Sequence, residues 1–294
     1  MKAPRKKMTK ENWTGLAFVA PAFVLLAIFL FVPFFMTVGY SFTNYNILKP
    51  DRMEFVGLKN FIRLTQDTVF MKSIVNTFVF VILVVPLQVC LALGLALMIN
   101  RKMKGISVYR LAFFAPTVLS LVVVSILWTY IYNPNNGLLN SLLGSVGIGP
   151  FKFLNDPKTA MLCIVILSAW QGCGFQMMIF LSGLKGVSQS LYEAARVEGA
   201  NRWQIFTHIT WPSISKTTFL VTTMLIISSF QVFDQAFILT RGGPGNATIT
   251  LVYYIYNNGF NNLNMGYASS ISMVLFLIIL VFSVLNTRLN NADI

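Results

Sequence analysis

Six stretches of the chain are apolar almost without interruption, from about Trp13 to Tyr40, Ser73 to Ile99, Leu111 to Tyr132, Ala160 to Leu184, Thr217 to Leu239 and Gly266 to Leu285. The runs are continuous and do not alternate between apolar and polar positions, as half-buried strands do. Each is close to the roughly 20 residues that bridge a hydrocarbon core of about 30 Å in helical form. Inside lipid a backbone polar group finds no water, so every one must be paired within its own segment or barrel, and continuous runs of this length predict helices. The expected fold is an all-α membrane bundle of six transmembrane helices.

Composition supports that reading: 56% of the 294 residues are hydrophobic and 11% charged, against about a quarter charged in a soluble domain. An even number of spans puts both termini on one side. The termini and the loops on that side carry 14 Lys and Arg, the other loops 8, and the positive-inside rule assigns the basic side to the cytoplasm. Lys2, Arg5, Lys6, Lys7 and Lys10 belong to it. The apolar run after them is too long for a secretory signal and lacks a small-residue cleavage site, so it reads as a retained span. The net charge of +13 therefore sits mainly beside membrane ends, where anionic headgroups of the lipid bilayer are the partner and nucleic acid is not.

Cys90, Cys163 and Cys173 fall inside spans, are odd in number and lack metal-ligand spacing, so apolar packing is expected and neither a disulfide nor a metal site is. Pro21, Pro33, Pro86 and Pro116 lie in or near spans and predict kinks, each either ordinary membrane-helix geometry or a cavity-opening bend. No repeat or linker divides the chain. One membrane domain is expected, with residues 1–72 forming an N-terminal arm, the first span and an external loop, and residues 73–288 a five-helix core.

The segment 188–212, SQSLYEAARVEGANRWQIFTHITWP, reads as two short helices. Ser190 with Glu193 has capping-box spacing, Gly199 suits a left-handed helix end, Asn201 with Gln204 repeats the start signal, and Pro212 stops the second helix. Ala194, Ala195 and Ala200 would let another protein approach closely. A DNA-binding helix-turn-helix is disfavoured because Arg196 and Arg202 alone neutralise too few phosphates. A connector resting on headgroups and a docking element for a cytoplasmic partner both stay open on these residues.

Glu193-Ala194-Ala195, then Gly199, Ile209 and Pro212, resembles the EAA signature of membrane subunits of binding-protein-dependent ABC importers. Glu198 and Trp211 depart from its commonest pattern, which has aspartate and leucine there. Phe233-Asp234 followed by Leu239-Thr240-Arg241-Gly242-Gly243-Pro244-Gly245 and Thr248 is similar to sugar-importer permeases of the maltose and glycerol-phosphate branch, as is PAFVLLAIFLFVPFFMTVGYSFTNYN near the N-terminus. The resemblance implies a type I importer permease in a bacterial-type inner membrane. It implies Glu193, Ala194, Ala195, Gly199, Ile209 and Pro212 as the ATPase-coupling residues. It also implies a homologous second permease, two ATPase subunits that carry ATP and Mg, and an extracytoplasmic sugar-binding protein. No cofactor is expected on this chain.

The Gly242, Gly243, Gly245 cluster lacks the lysine and hydroxyl of a phosphate-binding loop and reads as a tight external turn. Ionisable groups within spans usually face a cavity. Asp234 is the one acidic residue in a span, with Gln231 a turn earlier on the same face of a continuous fifth helix, and both are expected to meet substrate. Trp170, Gln171 and Gln176 in the fourth span and Asn76 in the second complete a sugar-binding inventory of amides and an aromatic face, although for Gln171, Gln176 and Asn76 hydrogen bonds between helices are the favoured reading. An ion-coupled secondary transporter using Asp234 is the competing class, but neither coupled ionisable groups nor internal repeats are visible. His208, the one histidine, has no convergent acid or nucleophile, so an enzyme is not expected.

Overall fold

A computed structural model describes residues 10–101 and 104–291, so the basic run from Lys2 to Lys7 lies outside the described residues. Regular structure in that range is helical apart from one β-bridge between Thr43 and Phe55. The first span consists of α1 (Lys10–Leu26) and α2 (Val32–Ser41), joined by a π-helical turn at Ala27–Phe31. That wider turn precedes Pro33, which has no N–H to give, and the Val32 amide closes it by donating to the Ala27 carbonyl. After α3 (Lys59–Gln66), the second span is α4 (Thr68–Ile99).

The third predicted span is not one helix. α5 (Ile106–Val118) and α6 (Leu121–Ile131) meet at 97° across the extended residues Leu119 and Ser120. Pro116 weakens the last turn of α5 by removing an N–H donor and crowding the carbonyl before it. Bonds to the fourth span then hold the bend. The Thr117 hydroxyl donates to the Gln171 carbonyl at 2.9 Å, and the Gln171 amide donates to the Pro116 carbonyl at 3.4 Å.

α7 (Leu138–Ser145) lies in the following loop, and the fourth span is α8 (Ala160–Lys185). Next come α9 (Gln189–Val197), α10 (Arg202–Ile205), a π turn at Phe206–Thr210 and α11 (Trp211–Ser213). The run Arg202–Ser213 turns by 67° into α12 (Ser215–Phe230). The predicted fifth span is also interrupted, because α12 ends at Phe230 and α13 (Asp234–Leu239) starts after a three-residue break. α14 (Leu251–Tyr256), a π turn at Asn257–Asn261 and α15 (Met265–Asn291) complete the chain.

α4 and α8 form the centre of the bundle, with α5 against α8, α12 against α4, and α2 against α15. Glycines set the closest approaches. A Cβ on Gly174 would stand 2.3 Å from the Phe113 carbonyl, and one on Gly266 would stand 2.2 Å from that of Thr43, as expected where membrane helices pack by backbone approach. The apolar window of the first span has no buried position, and Phe34 meets Phe276 of α15 at 5.2 Å. Its apolar surface therefore faces lipid or another subunit. All three thiols are free; Cys163 and Cys173 are buried, whereas Cys90 is exposed, contrary to the packing expected of it.

One polar knot joins the ends of several elements. The Asp67 carboxylate caps α4 by accepting from the Val69 and Phe70 amides at 2.9 and 3.0 Å, and it accepts the hydroxyls of Tyr254 and Tyr267 as well. The Arg63 guanidinium lies 4.5 Å over the Tyr267 ring. Burial raises the Asp67 carboxyl, but the two hydroxyls and two amides outweigh it and leave the group below its ordinary 3.8. Burial, then the bond to Asp67, pushes Tyr254 up to about 12.

A group whose pKa is lowered by folding contributes stability above its unfolded value and loses it as pH falls through the folded one. Asp67→Asn should therefore lower thermal stability at pH 7 by about 1–3 kcal/mol, measured by unfolding in detergent. The gap to the natural protein should close only below about pH 3.8. A gap of equal size at all pH values would show that the charge plays no part.

Candidate functional site

The interruption of the fifth span begins where Gln231, in a turn conformation, ends α12. The Gln231 and Val232 amides donate to the Ser228 and Ser229 carbonyls at 3.1 and 3.3 Å, and the Thr250 hydroxyl donates to the Val232 carbonyl at 2.9 Å. The same Thr250 oxygen accepts from the Tyr253 amide and caps α14. These bonds pair the Gln231 and Val232 amides and the Val232 carbonyl inside the protein, as irregular chain at membrane depth requires where it is buried or lines a cavity.

It does line one. A cavity of about 320 Å³ is bounded by Gln231, Phe233, Asp234 and Gln235 from the break, Ser228 and Ser229 from α12, Gln171, Gly172 and Gln176 from α8, and Gln88 from α4. Gln231 and Asp234 do not share a face of one continuous helix, as the sequence led us to expect, because the helix stops between them. They reach the same cavity from opposite sides of the break. Gln88 donates to Gln176 at 3.1 Å, so the α8 amide both binds a neighbouring helix and faces the space. Gln171, bonded to the Pro116 carbonyl, has the same double role. Gly172 makes room: a Cβ there would stand 2.2 Å from Gln88 Nε2.

Two expected residues lie outside this space. Asn76 donates to the Asn246 and Ile249 carbonyls at 2.9 and 3.0 Å and ties down the loop before α14. Trp170 packs on Trp128 at 5.6 Å and borders an apolar groove with Leu87, Phe113 and Pro116. Sequence reasoning missed Gln88 and Gln235. The signal was present for both, an amide inside an apolar run, which is costly unless it faces a partner or a cavity.

The segment after α8 forms a second candidate site. Gly199 has φ +79°, and the Gly199 and Ala200 amides donate to the Arg196 and Ala195 carbonyls, the pairing that closes a helix on a left-handed residue. Asn201 and Gln204 make both bonds of a capping box, at 2.8 and 2.9 Å. The expected box at Ser190 and Glu193 is absent: α9 starts at Gln189, and the Ser190 hydroxyl is 2.7 Å from that of Ser188. Pro212 does not stop the second helix, which runs through it to Ser213, because the π turn before it shifts the amide pairing so that Trp211 donates to Phe206.

Ala195, Gly199 and Ile209 line a hollow of about 450 Å³ together with Glu198, Gln204 and His208. Glu193, Ala194 and Pro212 are exposed beside it but do not line it. Tyr192 and Thr210, 3.3 Å apart through their hydroxyls, pin the two arms together.

Residues 68–292 match the family model described as binding-protein-dependent transport system inner membrane component. The chain is 36% identical over 275 residues to the probable ABC transporter permease protein YurN of Bacillus subtilis (strain 168), covering 92% of this chain and 94% of that one. It is 34% identical over 278 residues to the lactose transport system permease protein LacF of Rhizobium radiobacter, covering 92% of each. Its fold is similar to a chain in the crystal structure of a bacterial ABC transporter involved in import of the acidic polysaccharide alginate, with TM-score 0.84, 24% identity and 96% of each chain covered.

The turn at Gly199 gives a local prediction. No atom lies within 4 Å of a Cβ built there, so Gly199→Leu should cost only the left-handed backbone penalty of about 1–2 kcal/mol. Hydrogen exchange should find the amides at positions 199 and 200 of the variant opening about 5- to 30-fold more often than in the natural protein, with α8 and α12 unaffected. Unchanged exchange would mean the turn is not held by these bonds.

Proposed function

The chain belongs to the family of binding-protein-dependent transport system inner membrane components, and from that premise we propose that it is the permease subunit of an ATP-driven importer of di- or oligosaccharides. One observation carries the substrate class. The broken fifth span gathers the amides of Gln171, Gln176 and Gln231, the Asp234 carboxylate and the Phe233 ring around one cavity. Hydroxyl edges of a sugar pair with planar amides and carboxylates, and its C–H faces pack on aromatic rings. The similarity to a permease named for lactose transport supports the same class.

One copy contributes half of a pathway. It pairs with a homologous second permease and receives sugar from an extracytoplasmic binding protein, while two copies of a cytoplasmic ATPase bind ATP and Mg and perform hydrolysis. The left-handed turn at Gly199 and the hollow beside it form the docking element, with exposed Glu193 and Ala194 at its edge. Both termini lie in the cytoplasm. In whole cells, an impermeant reagent should then label a cysteine placed at Lys152 but not one placed at Glu193, and the reverse pattern would invert the topology.

Asp234→Ala and Gln231→Ala should each lower sugar uptake by reconstituted vesicles about 5- to 30-fold, the effect of losing a hydrogen bond or two to substrate. The ATPase subunits should still co-purify. Normal uptake, or loss of the complex, would make both residues structural. Uptake that needs a proton or sodium gradient and no ATP would favour the ion-coupled class.

A further inference from the structure

The segment 257–264, Asn-Asn-Gly-Phe-Asn-Asn-Leu-Asn, carries five asparagines around one phenylalanine. Phe260 is 59% exposed. It is not dressed for lipid, because Asn261 and Asn262 are exposed beside it and bare amides are costly in hydrocarbon. The π turn at Asn257–Asn261 is closed by the Asn262 amide donating to the Asn257 carbonyl at 2.9 Å, and this holds Phe260 and the asparagines on one short rigid element. Asn261 Nδ2 donates to Asn257 Oδ1 at 2.8 Å. That bond orients both amides and leaves Asn257 Nδ2 and Asn261 Oδ1 without a protein partner among the described residues.

Phe260 is also the outer member of a continuous aromatic series. It stacks on Tyr256 at 5.4 Å, and Tyr256 meets Phe233 at 5.1 Å. Phe233 in turn lines the cavity that holds Gln231 and Asp234. A series of ring contacts therefore connects an exposed, polar-rimmed ring to the cavity wall.

We infer that Phe260, Tyr256, Asn257 and Asn261 form a second carbohydrate subsite outside the cavity, which holds one ring of an oligosaccharide while another ring reaches Phe233. The inference rests on the sugar-importer reading and deepens it. Phe260 offers an aromatic face to C–H surfaces, with Tyr256 stacked behind it as support, and the two amides offer one donor and one acceptor to hydroxyls. A substrate of several rings can occupy both places, whereas a short one leaves the outer place empty after entry. This subsite thus selects for chain length.

The test uses the complete complex, with its binding protein, in vesicles. Uptake is measured for a panel of lactose, diacetylchitobiose, raffinose and maltotetraose, extended to longer and shorter members of whichever series is imported. Phe260→Ala should lower the ratio of long-sugar to short-sugar uptake about fivefold, the worth of one aromatic contact. Phe260→Tyr should keep the ratio of the natural protein. In the same complex, Phe260→Trp should add a fluorescence component that shifts when the binding protein delivers the long sugar and not when it delivers the short one.

Equal loss for all lengths, or loss of the partner permease from the purified Phe260→Ala complex, would make this face a packing surface and overturn the inference. Import by the natural complex with an unchanged length ratio in Phe260→Ala would overturn this inference alone. A natural complex that imports no sugar on the panel would overturn the sugar-importer reading with it.

Discussion

The structure depends on one constraint: a backbone carbonyl or amide at membrane depth must find a partner inside the protein. At the interruption of the fifth span that partner is Thr250, whose hydroxyl reaches back to the Val232 carbonyl. With the Gln231 and Val232 amides turned back onto Ser228 and Ser229, this bond pairs much of the backbone where the helix stops and restarts. It also fixes α14 against the break, because the same oxygen caps α14. At the interruption of the third span the amide of Gln171 does the equivalent work on the Pro116 carbonyl. Both interruptions are answered by side chains that border, or lie next to, the same cavity.

The same arrangement shapes the cavity. A continuous fifth helix would have placed one polar stripe along its length and buried its backbone groups. The broken one turns Gln231, Phe233 and Asp234 toward α8, where the small residue Gly172 admits Gln88. The cavity is polar because its wall includes the amides that already bind the helices together. Elsewhere the knot at Asp67 joins the start of α4 to α14 and α15 through two tyrosine hydroxyls. Asn76, bonded to the loop before α14, adds a second tie from α4.

The membrane class and the number of apolar runs were legible because both follow from length and composition. Ala160 to Leu184 differs from the observed Ala160–Lys185 by one residue. The interruptions were not legible, since a bend of 97° between two apolar halves leaves the apolar pattern intact. The bonds that make these bends tolerable come from residues far along the chain, such as Gln171 for Pro116. In the segment 188–212, Gly199 and the Asn201 and Gln204 pair were readable because a helix end is decided locally. The start of α9 falls elsewhere than the pattern suggests: Ser190 with Glu193 has the capping-box spacing, but the helix starts after Ser188, whose third following residue is Leu191. Gln231 and Asp234 line one cavity, as polar groups inside a span do, but not through a shared helix face.

The central claim is that the break in the fifth span opens onto a water-filled space that sugar occupies. Ser228, exposed on its wall, allows a direct measurement once Cys90, Cys163 and Cys173 are replaced and Ser228→Cys is introduced. In the assembled complex a small water-soluble thiol reagent should react with this cysteine, and transported sugar supplied through the binding protein during ATP turnover should slow the reaction. A cysteine that never reacts, or one that reacts at the same rate with and without sugar, would contradict the account.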